Sequence, residues 1–359
     1  MKASPPDLSK LTRVEARGDH YAIGVALGEA AADALREIVP AIARFKALKT
    51  NLAAGHALDE LESAARRAFP EFMREIDGIA DGAGVDFKDV WLWNCRGDFA
   101  GGGDQSPAAL AGCTTVMLGG SEDAAGVIGH NEDDQPELDG CCSIACIEPD
   151  DAPGFVSFYS PGLLPGHTFA VNDAGLVQTI NHIRPFDQQA GIPRHLIARA
   201  VMAQSSLDDA LQLLRRDDRA SGFHHNLGMA GDQRLLSVEA PASGYSVGVV
   251  LNEPSAHTNH LLDGSLLSNG QDIAASSRDR LRRSIALIED GALADRNPLA
   301  IVHDAGGDGL PIYRKGGHPE DSGYTLATAV FEIHRAKVDW RVYTDSETTP
   351  EHSGEVSIS

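Results

Sequence analysis

The stretch AGCTTVMLGGSEDAAGVIGHNED, residues 111–133, decides how the chain is read. Residues 113–118 and 127–131 are short, β-rich runs with GGSEDAAG between them, which predicts a hairpin. The hairpin sets Cys113 at the start of one strand and returns the acidic run Glu132-Asp133-Asp134 at the end of the other. A cysteine facing a returned carboxylate is an arrangement able to activate a thiol. It also suits a chain that cuts itself between Gly112 and Cys113, leaving Cys113 as a new N-terminus. Residues 98–110 come before it with three consecutive glycines, a proline and no periodicity, and read as an exposed, adaptable loop or a linker.

The segment ahead of that loop reads as helical. Residues 20–49 are rich in Ala and Leu, with apolar residues at helical spacing and a break expected at Pro40. Residues 58–69 form a second amphipathic pattern, stopped by Pro70. Residues 71–80 make a third, closed by the glycines of DGAG, and Asp86 is placed to cap a short helix into WLWNC.

After the hairpin, strands are expected at 142–148, 155–159, 176–180, 226–230, 235–239 and 245–251. Helical patterns at 195–204, 207–215 and 277–289 interrupt them, the last capped by Ser276 or Ser277, and Asn297-Pro298 starts another short helix. Residues 325–333 and 337–343 read as a closing hairpin, and the polar tail 344–359 as frayed. Many hairpin strands with scattered helices predict an α+β sandwich rather than βαβ units. No glycine-rich phosphate loop follows a strand.

Composition narrows the function. With 52 Asp and Glu against 30 Lys and Arg, the formal charge is −22, which argues against nucleic acid or an anionic membrane surface as partner. No apolar run approaches the length of a membrane span, and residues 1–10 carry no signal-like core. Five cysteines, an odd number without a secretory signal, point to free thiols in a reducing, cytoplasmic compartment. Cys141, Cys142 and Cys146 invite a metal-cluster reading, but 142 and 146 share strand parity while 141 does not, so small apolar packing residues are expected there.

Gly112-Cys113-Thr114-Thr115, followed by Gly129-His130-Asn131-Glu132-Asp133, resembles the acyl-coenzyme A:isopenicillin N acyltransferase family of self-processing N-terminal nucleophile (Ntn) hydrolases. The likeness continues in Trp93-Asn94-Cys95-Arg96, in 226–239 ending in Val238-Glu239, in His257-Thr258-Asn259-His260 and in Pro311-Ile312-Tyr313-Arg314, and spans roughly 24–333. Glu132 stands where many members carry an aromatic residue, and Tyr313 where cysteine is common. The resemblance implies a single domain over 1–359 with a four-layer αββα fold. It implies cleavage before Cys113, with a mostly helical fragment 1–112 staying associated with a catalytic fragment 113–359. It also implies acyl transfer to water or an amine.

The site expectations follow. Cys113 is the nucleophile. A free thiol titrates near about 8.5, and an adjacent α-amine near about 7.7–8.0 can take its proton. Asp133 orients that amine, Asn259 donates to the oxyanion, and Arg314 anchors the site near Asp133, with Arg280 of SSRDR as its rival. Thr114, Asn131 and Arg280 are assigned to substrate binding. His257 and His260, at i and i+3, suggest zinc, but no second ligand pair stands nearby, so neither metal nor cofactor is expected. His224 and His225 face opposite ways on a strand, so at most one of them can enter a site.

The function expected is an autocatalytically cleaved, zymogen-like thiol hydrolase or acyltransferase. It acts on the amide bond of a small acyl or amino-acyl substrate, and a homo-oligomer is left open. The alternatives are a coenzyme-A-dependent N-acyltransferase and an unprocessed binding protein on the same fold.

Overall fold

In the computed structural model the described residues are 11–50, 52–99, 112–251, 253–316 and 323–358. The chain opens with a strand, β1 (Thr12–Gly18), and then turns helical. The helices are α1 (His20–Ala30), α2 (Ala43–Thr50), α3 (Leu52–Ala68), α4 (Pro70–Ala83) and α5 (Phe87–Asn94). A π turn and a 3₁₀ turn containing Pro40 separate α1 from α2, since proline cannot continue the hydrogen-bond ladder. Pro70 starts α4, and Gly84 ends it in the left-handed conformation with φ 67°. Asp86 caps α5 by accepting from the Lys88 amide at 2.8 Å. The residues of the adaptable loop from 100 onward lie outside the described residues.

Two sheets follow. The smaller takes β2 (Thr114–Leu118) and β3 (Gly126–Asp134). The larger takes β4 (Ser143–Pro149), β5 (Phe155–Tyr159), β6 (Phe169–Asn172) and β7 (Leu176–His182). After α6 (Arg194–Val201) and α7 (Leu207–Leu214), it adds β8 (Phe223–Met229), β9 (Leu235–Ala240) and β10 (Ser246–Val250). The smaller sheet is completed by β11 (Ser255–His257), then, after α8 (Ala275–Glu289) and α9 (Leu299–Val302), by β12 (Tyr324–Ile333), β13 (Lys337–Tyr343) and β14 (His352–Ser357). The strand orders are β1-β4-β5-β6-β7-β8-β9-β10 and β11-β2-β3-β12-β13-β14. The α1/α4 pair covers the larger sheet and α8 with α9 the smaller, which gives the αββα layering.

Three expectations change. The segment ahead of the loop is not all helical: β1 precedes the helices, with Arg13, Glu15 and Arg17 alternating outward on a sheet edge, and pairs in parallel with β4 from Thr12↔Ser143 to Gly18↔Pro149. The tail is not frayed. Its residues alternate half-buried and exposed, and β14 zips onto β13, with Gly354 opposite Trp340, where a Cβ would overlap the indole. Neither Ser276 nor Ser277 caps α8. The N-cap is Ala274, and both serines lie inside the first turn with their hydroxyls turned to other work.

One contact secures the helical layer. Gly24 and Gly28 on α1 face Gly78 and Gly82 on α4, and a Cβ at any of the four would overlap the opposing backbone. The close approach buries Glu75, whose carboxylate receives Arg199 of α6 at 2.7 Å and His20 at 2.6 Å. The Arg199 guanidinium lies between the rings of Phe72 and Phe155, each 4.6 Å away. Burial pushes the Glu75 carboxyl up, but Arg199 and His20 outweigh it and hold it below the usual carboxylate range.

Arg199→Met strands that carboxylate and should cost about 3–5 kcal/mol in urea unfolding. Glu75's folded pKa lies below its unfolded value of about 4.3, so its contribution is present above that value and lost as pH falls through the folded one. Wild type and variant should therefore converge in stability at acid pH, and an equal gap at pH 3 and pH 7 would contradict this account.

Candidate active site

The β2/β3 pair sorts side chains by parity. Thr114, Val116, Asn131 and Asp133 face the α8/α9 layer, where Val116 packs with Ile301, Val302 and Ile312. Cys113, Thr115, His130 and Glu132 face the interior between the sheets. The register pairs Thr114 with Asn131 and Thr115 with His130, so Cys113 stands beside Glu132. The Cys113 thiol donates to Glu132 Oε2 at 3.1 Å, and the two residues are 7% and 6% exposed.

Two buried arginines clamp the backbone around Cys113. Arg314 Nη2 donates to the Gly112 carbonyl at 2.6 Å and to Asp133 Oδ2 at 2.6 Å. Arg280 Nη1 donates to the Cys113 carbonyl and to Thr114 Oγ1, both at 2.7 Å, while its Nη2 reaches Asn259 Oδ1 at 2.7 Å. Ser276 Oγ accepts from both guanidiniums, Arg280 Nε at 3.1 Å and Arg314 Nη1 at 3.2 Å. The expected rivalry between the two arginines dissolves, because each takes a different carbonyl of the same dipeptide.

Asn259 is seated by α8, whose Ser277 Oγ accepts its amide N–H at 2.8 Å. With Oδ1 committed to Arg280, the side-chain nitrogen Nδ2 is buried with no hydrogen-bond partner among the described residues. Only glycine fits at 112, since a Cβ there would overlap the Asn259 amide. Asp133 Oδ1 is likewise buried without a partner among the described residues.

Asn131 is engaged elsewhere. Its Nδ2 reaches the Val302 carbonyl at 2.6 Å and its Oδ1 accepts from Thr328 at 2.7 Å, joining β3 to α9 and β12. His257 is bound by Glu239 at 2.8 Å and His260 by Ser277 Oγ at 2.8 Å, so they do not converge as zinc ligands. His224 bonds Ser237 and Asn181, His225 bonds Gln178, and both are buried within the larger sheet. Cys142 is buried, while Cys141 and Cys146 are half-buried, so only Cys142 fits the apolar packing expected of the three.

Sequence reasoning placed Glu132 in the acidic run returned toward Cys113 but gave the catalytic role to Asp133, although strand pairing sets Glu132 itself opposite Cys113. It missed Thr168 altogether. The Thr168 hydroxyl bonds Glu132 Oε2 and also lies 3.2 Å from His130 Nε2, while His130 Nδ1 lies 2.8 Å from Thr115 Oγ1. Ligand atoms of Cys113, His130 and Glu132 all fall within 4.8 Å of one another, a spacing that a metal could use. The Thr168 hydroxyl between the imidazole and the carboxylate makes them a hydrogen-bonded chain instead.

The model of the family described as acyl-coenzyme A:6-aminopenicillanic acid acyl-transferase matches residues 119–347. The chain belongs to this family. The match begins six residues beyond Cys113 and takes in Glu132, Asp133, Asn259, Arg280 and Arg314. A Drosophila melanogaster β-alanyl-dopamine/carcinine hydrolase is 23% identical, over 93% of each chain. Two solved structures are also similar. A mutant conjugated bile acid hydrolase from Clostridium perfringens is 12% identical, with a TM-score of 0.43, covering 68% of this chain and 92% of its own. A penicillin V acylase from Agrobacterium tumefaciens is 14% identical, with a TM-score of 0.39, covering 68% and 86%. The relatives named are amide hydrolases and acyl-transferases. Among the described residues no helix is long and apolar enough to cross a membrane.

Burial, then the charges of Glu132 and Asp133, push the Cys113 thiol well above its ordinary range, against a lowering hydrogen bond from the Asp133 backbone. In a chain still joined at Gly112, alkylation of Cys113 by iodoacetamide should therefore be slow at pH 7 and should keep accelerating beyond about pH 8.5, the ordinary thiol value. A rate that levels off by that pH means a thiol of ordinary acidity and removes the two carboxylates from the explanation.

Proposed function

We propose that the chain is a self-cleaving cysteine amidohydrolase or acyltransferase acting on the linear amide of a small acyl or amino-acyl compound. The observation that carries this reading is the clamp on Gly112 and Cys113. A guanidinium already donates to the carbonyl of the bond to be cut, where negative charge would develop during attack.

Cleavage before Cys113 releases its α-amine, with a pKa of about 7.7–8.0, beside the sulfur, where it takes the thiol proton. Asp133 Oδ1, buried and unpartnered among the described residues, offers the acceptor that such an ammonium needs. The thiolate attacks the substrate carbonyl, and Asn259 Nδ2 donates to the oxyanion; a donor of this kind is worth about 2.7–4 kcal/mol. The thioester on Cys113 then passes to water or an amine. Thr114 and Arg280 serve to fix the nucleophile strand. The fragment 1–112 stays with 113–359 because β1 is paired with β4 and the helices share its core.

Hydrolysis is favoured over coenzyme-A-dependent transfer, since the chain is acidic and a 23% identical relative spanning 93% of its length is named a β-alanyl-dopamine/carcinine hydrolase. Free thiols fit a cytoplasmic setting.

Denaturing mass spectrometry of the purified protein should give two fragments divided between Gly112 and Cys113, and Cys113→Ala a single chain. An active wild type of undivided mass would falsify the processing claim. In the cut enzyme, Asn259→Ala should lower kcat about 10²–10³-fold, and it should also lower the thermal midpoint, since the buried Arg280 loses an acceptor. Activity should survive prolonged chelator treatment. Its loss, restored by a metal, would favour the Cys113–His130–Glu132 grouping as a metal site instead.

A further inference from the structure

A gap in that chemistry points to a second role for the interior face of β3. In the uncut chain the nitrogen of Cys113 is an amide and has no basic lone pair, so the α-amine that serves the mature enzyme cannot start the first cut. The thiol still has to lose its proton. We propose that Glu132 takes it, and that Thr168 and His130 complete a relay serving self-cleavage.

The hydrogen bonds dictate how that relay is protonated. Thr115 Oγ1 donates its single proton to Asn181 Oδ1 at 2.9 Å, an oxygen that also accepts from Asn226 at 3.1 Å. Thr115 therefore accepts from His130 Nδ1 at 2.8 Å, so that nitrogen carries hydrogen. On the other side of the ring, Thr168 has one proton to share between Glu132 and His130 Nε2. Two arrangements satisfy every contact. In one, an imidazolium donates to Thr168, which donates to a carboxylate. In the other, a carboxylic acid donates to Thr168, which donates to a neutral imidazole. Either way one proton belongs to the Glu132–Thr168–His130 chain, and the first arrangement presents a carboxylate to the thiol at 3.1 Å. Neighbouring charges on these strands are already used, Asp133 with Arg314 and Asp134 with Arg96.

The step balances. The thiol proton passes to Glu132 as Sγ bonds to the Gly112 carbonyl carbon. The carbonyl electron pair moves to the oxygen that Arg314 holds at 2.6 Å. Collapse breaks the bond from that carbon to the Cys113 nitrogen, and Glu132 returns its proton to the leaving nitrogen. Gly112 is now a thioester on Cys113, and water hydrolyses it to the Gly112 carboxylate and the free thiol. Positioned acid–base groups contribute about 10²–10⁴-fold to such steps.

The inference rests on self-cleavage, and the test separates the two. Full-length wild type, Glu132→Gln and Thr168→Val are purified, and fragment formation is followed by intact mass, with urea midpoints as the control for folding. Wild type divided, with Glu132→Gln undivided or at least about 100-fold slower at an unchanged midpoint, is the expected result. Glu132→Gln cutting as fast as wild type overturns the assignment and leaves self-cleavage standing. A wild type that never divides overturns both. Should Glu132→Gln fail to fold, Thr168→Val decides. It keeps the carboxylate and removes the link to His130, so it should cut about tenfold slower with a flattened pH profile, and an unchanged rate and profile overturn the relay.

Discussion

Two guanidinium groups bound to one serine hydroxyl fix the position of everything that bears on Cys113. Ser276, one turn before Arg280 on α8, accepts from that arginine and from Arg314, and the pair grips the successive carbonyls of Gly112 and Cys113. Burying two cations side by side is costly unless each is hydrogen-bonded throughout its fork. Here the acceptors are two backbone carbonyls, the Thr114 hydroxyl, the Asn259 amide and the Asp133 carboxylate. Any displacement of the nucleophile strand therefore breaks several charge-assisted bonds at once. The strand is consequently rigid at its first residue, where strands usually fray.

The arrangement works because a two-residue period divides labour across one hairpin. On one face Thr114 and Asp133 meet the arginines, while on the other Cys113 and Glu132 meet across the interior with His130 and Thr168 behind them. A one-residue slip of β2 against β3 would exchange the two sets, placing the thiol among guanidiniums and the threonine against the carboxylate. Register is locked further out by Asn131, which ties β3 to the Val302 carbonyl and to Thr328 of β12. Its contribution is to hold the frame, one strand position away from the chemistry.

Much of this could be read from residues alone. The hairpin, the split at Pro40, the Asp86 cap and the closing pair β12/β13 all follow from local rules that tertiary context did not override. What could not be read was polar and non-local. β1 and β14 are edge strands whose charged and small residues mimic loops, and only pairing with β4 and β13 makes them strands. Ser276 and Ser277 look like caps in sequence because Ser before a helical run usually is one. Their hydroxyls are claimed by Arg314, Arg280 and the Asn259 amide from elsewhere in the chain. Thr168 carries no sequence signal at all, since a threonine ahead of a strand is commonplace and its partners lie 36 and 38 residues away.

The same polar network links the two faces of the sandwich. Thr115 stands between His130 of the smaller sheet and Asn181 and Asn226 of the larger, so hydrogen bonds join the sheets where apolar packing is otherwise continuous. Buried polar chains of this kind are favourable only when every member is satisfied. Satisfaction at Thr115 forces a hydrogen onto His130 Nδ1, and that choice of tautomer leaves Nε2 and the Thr168 hydroxyl to settle one proton with Glu132. The hydrogen-bond chain next to the nucleophile is thus anchored from the opposite sheet, through two threonines and one imidazole.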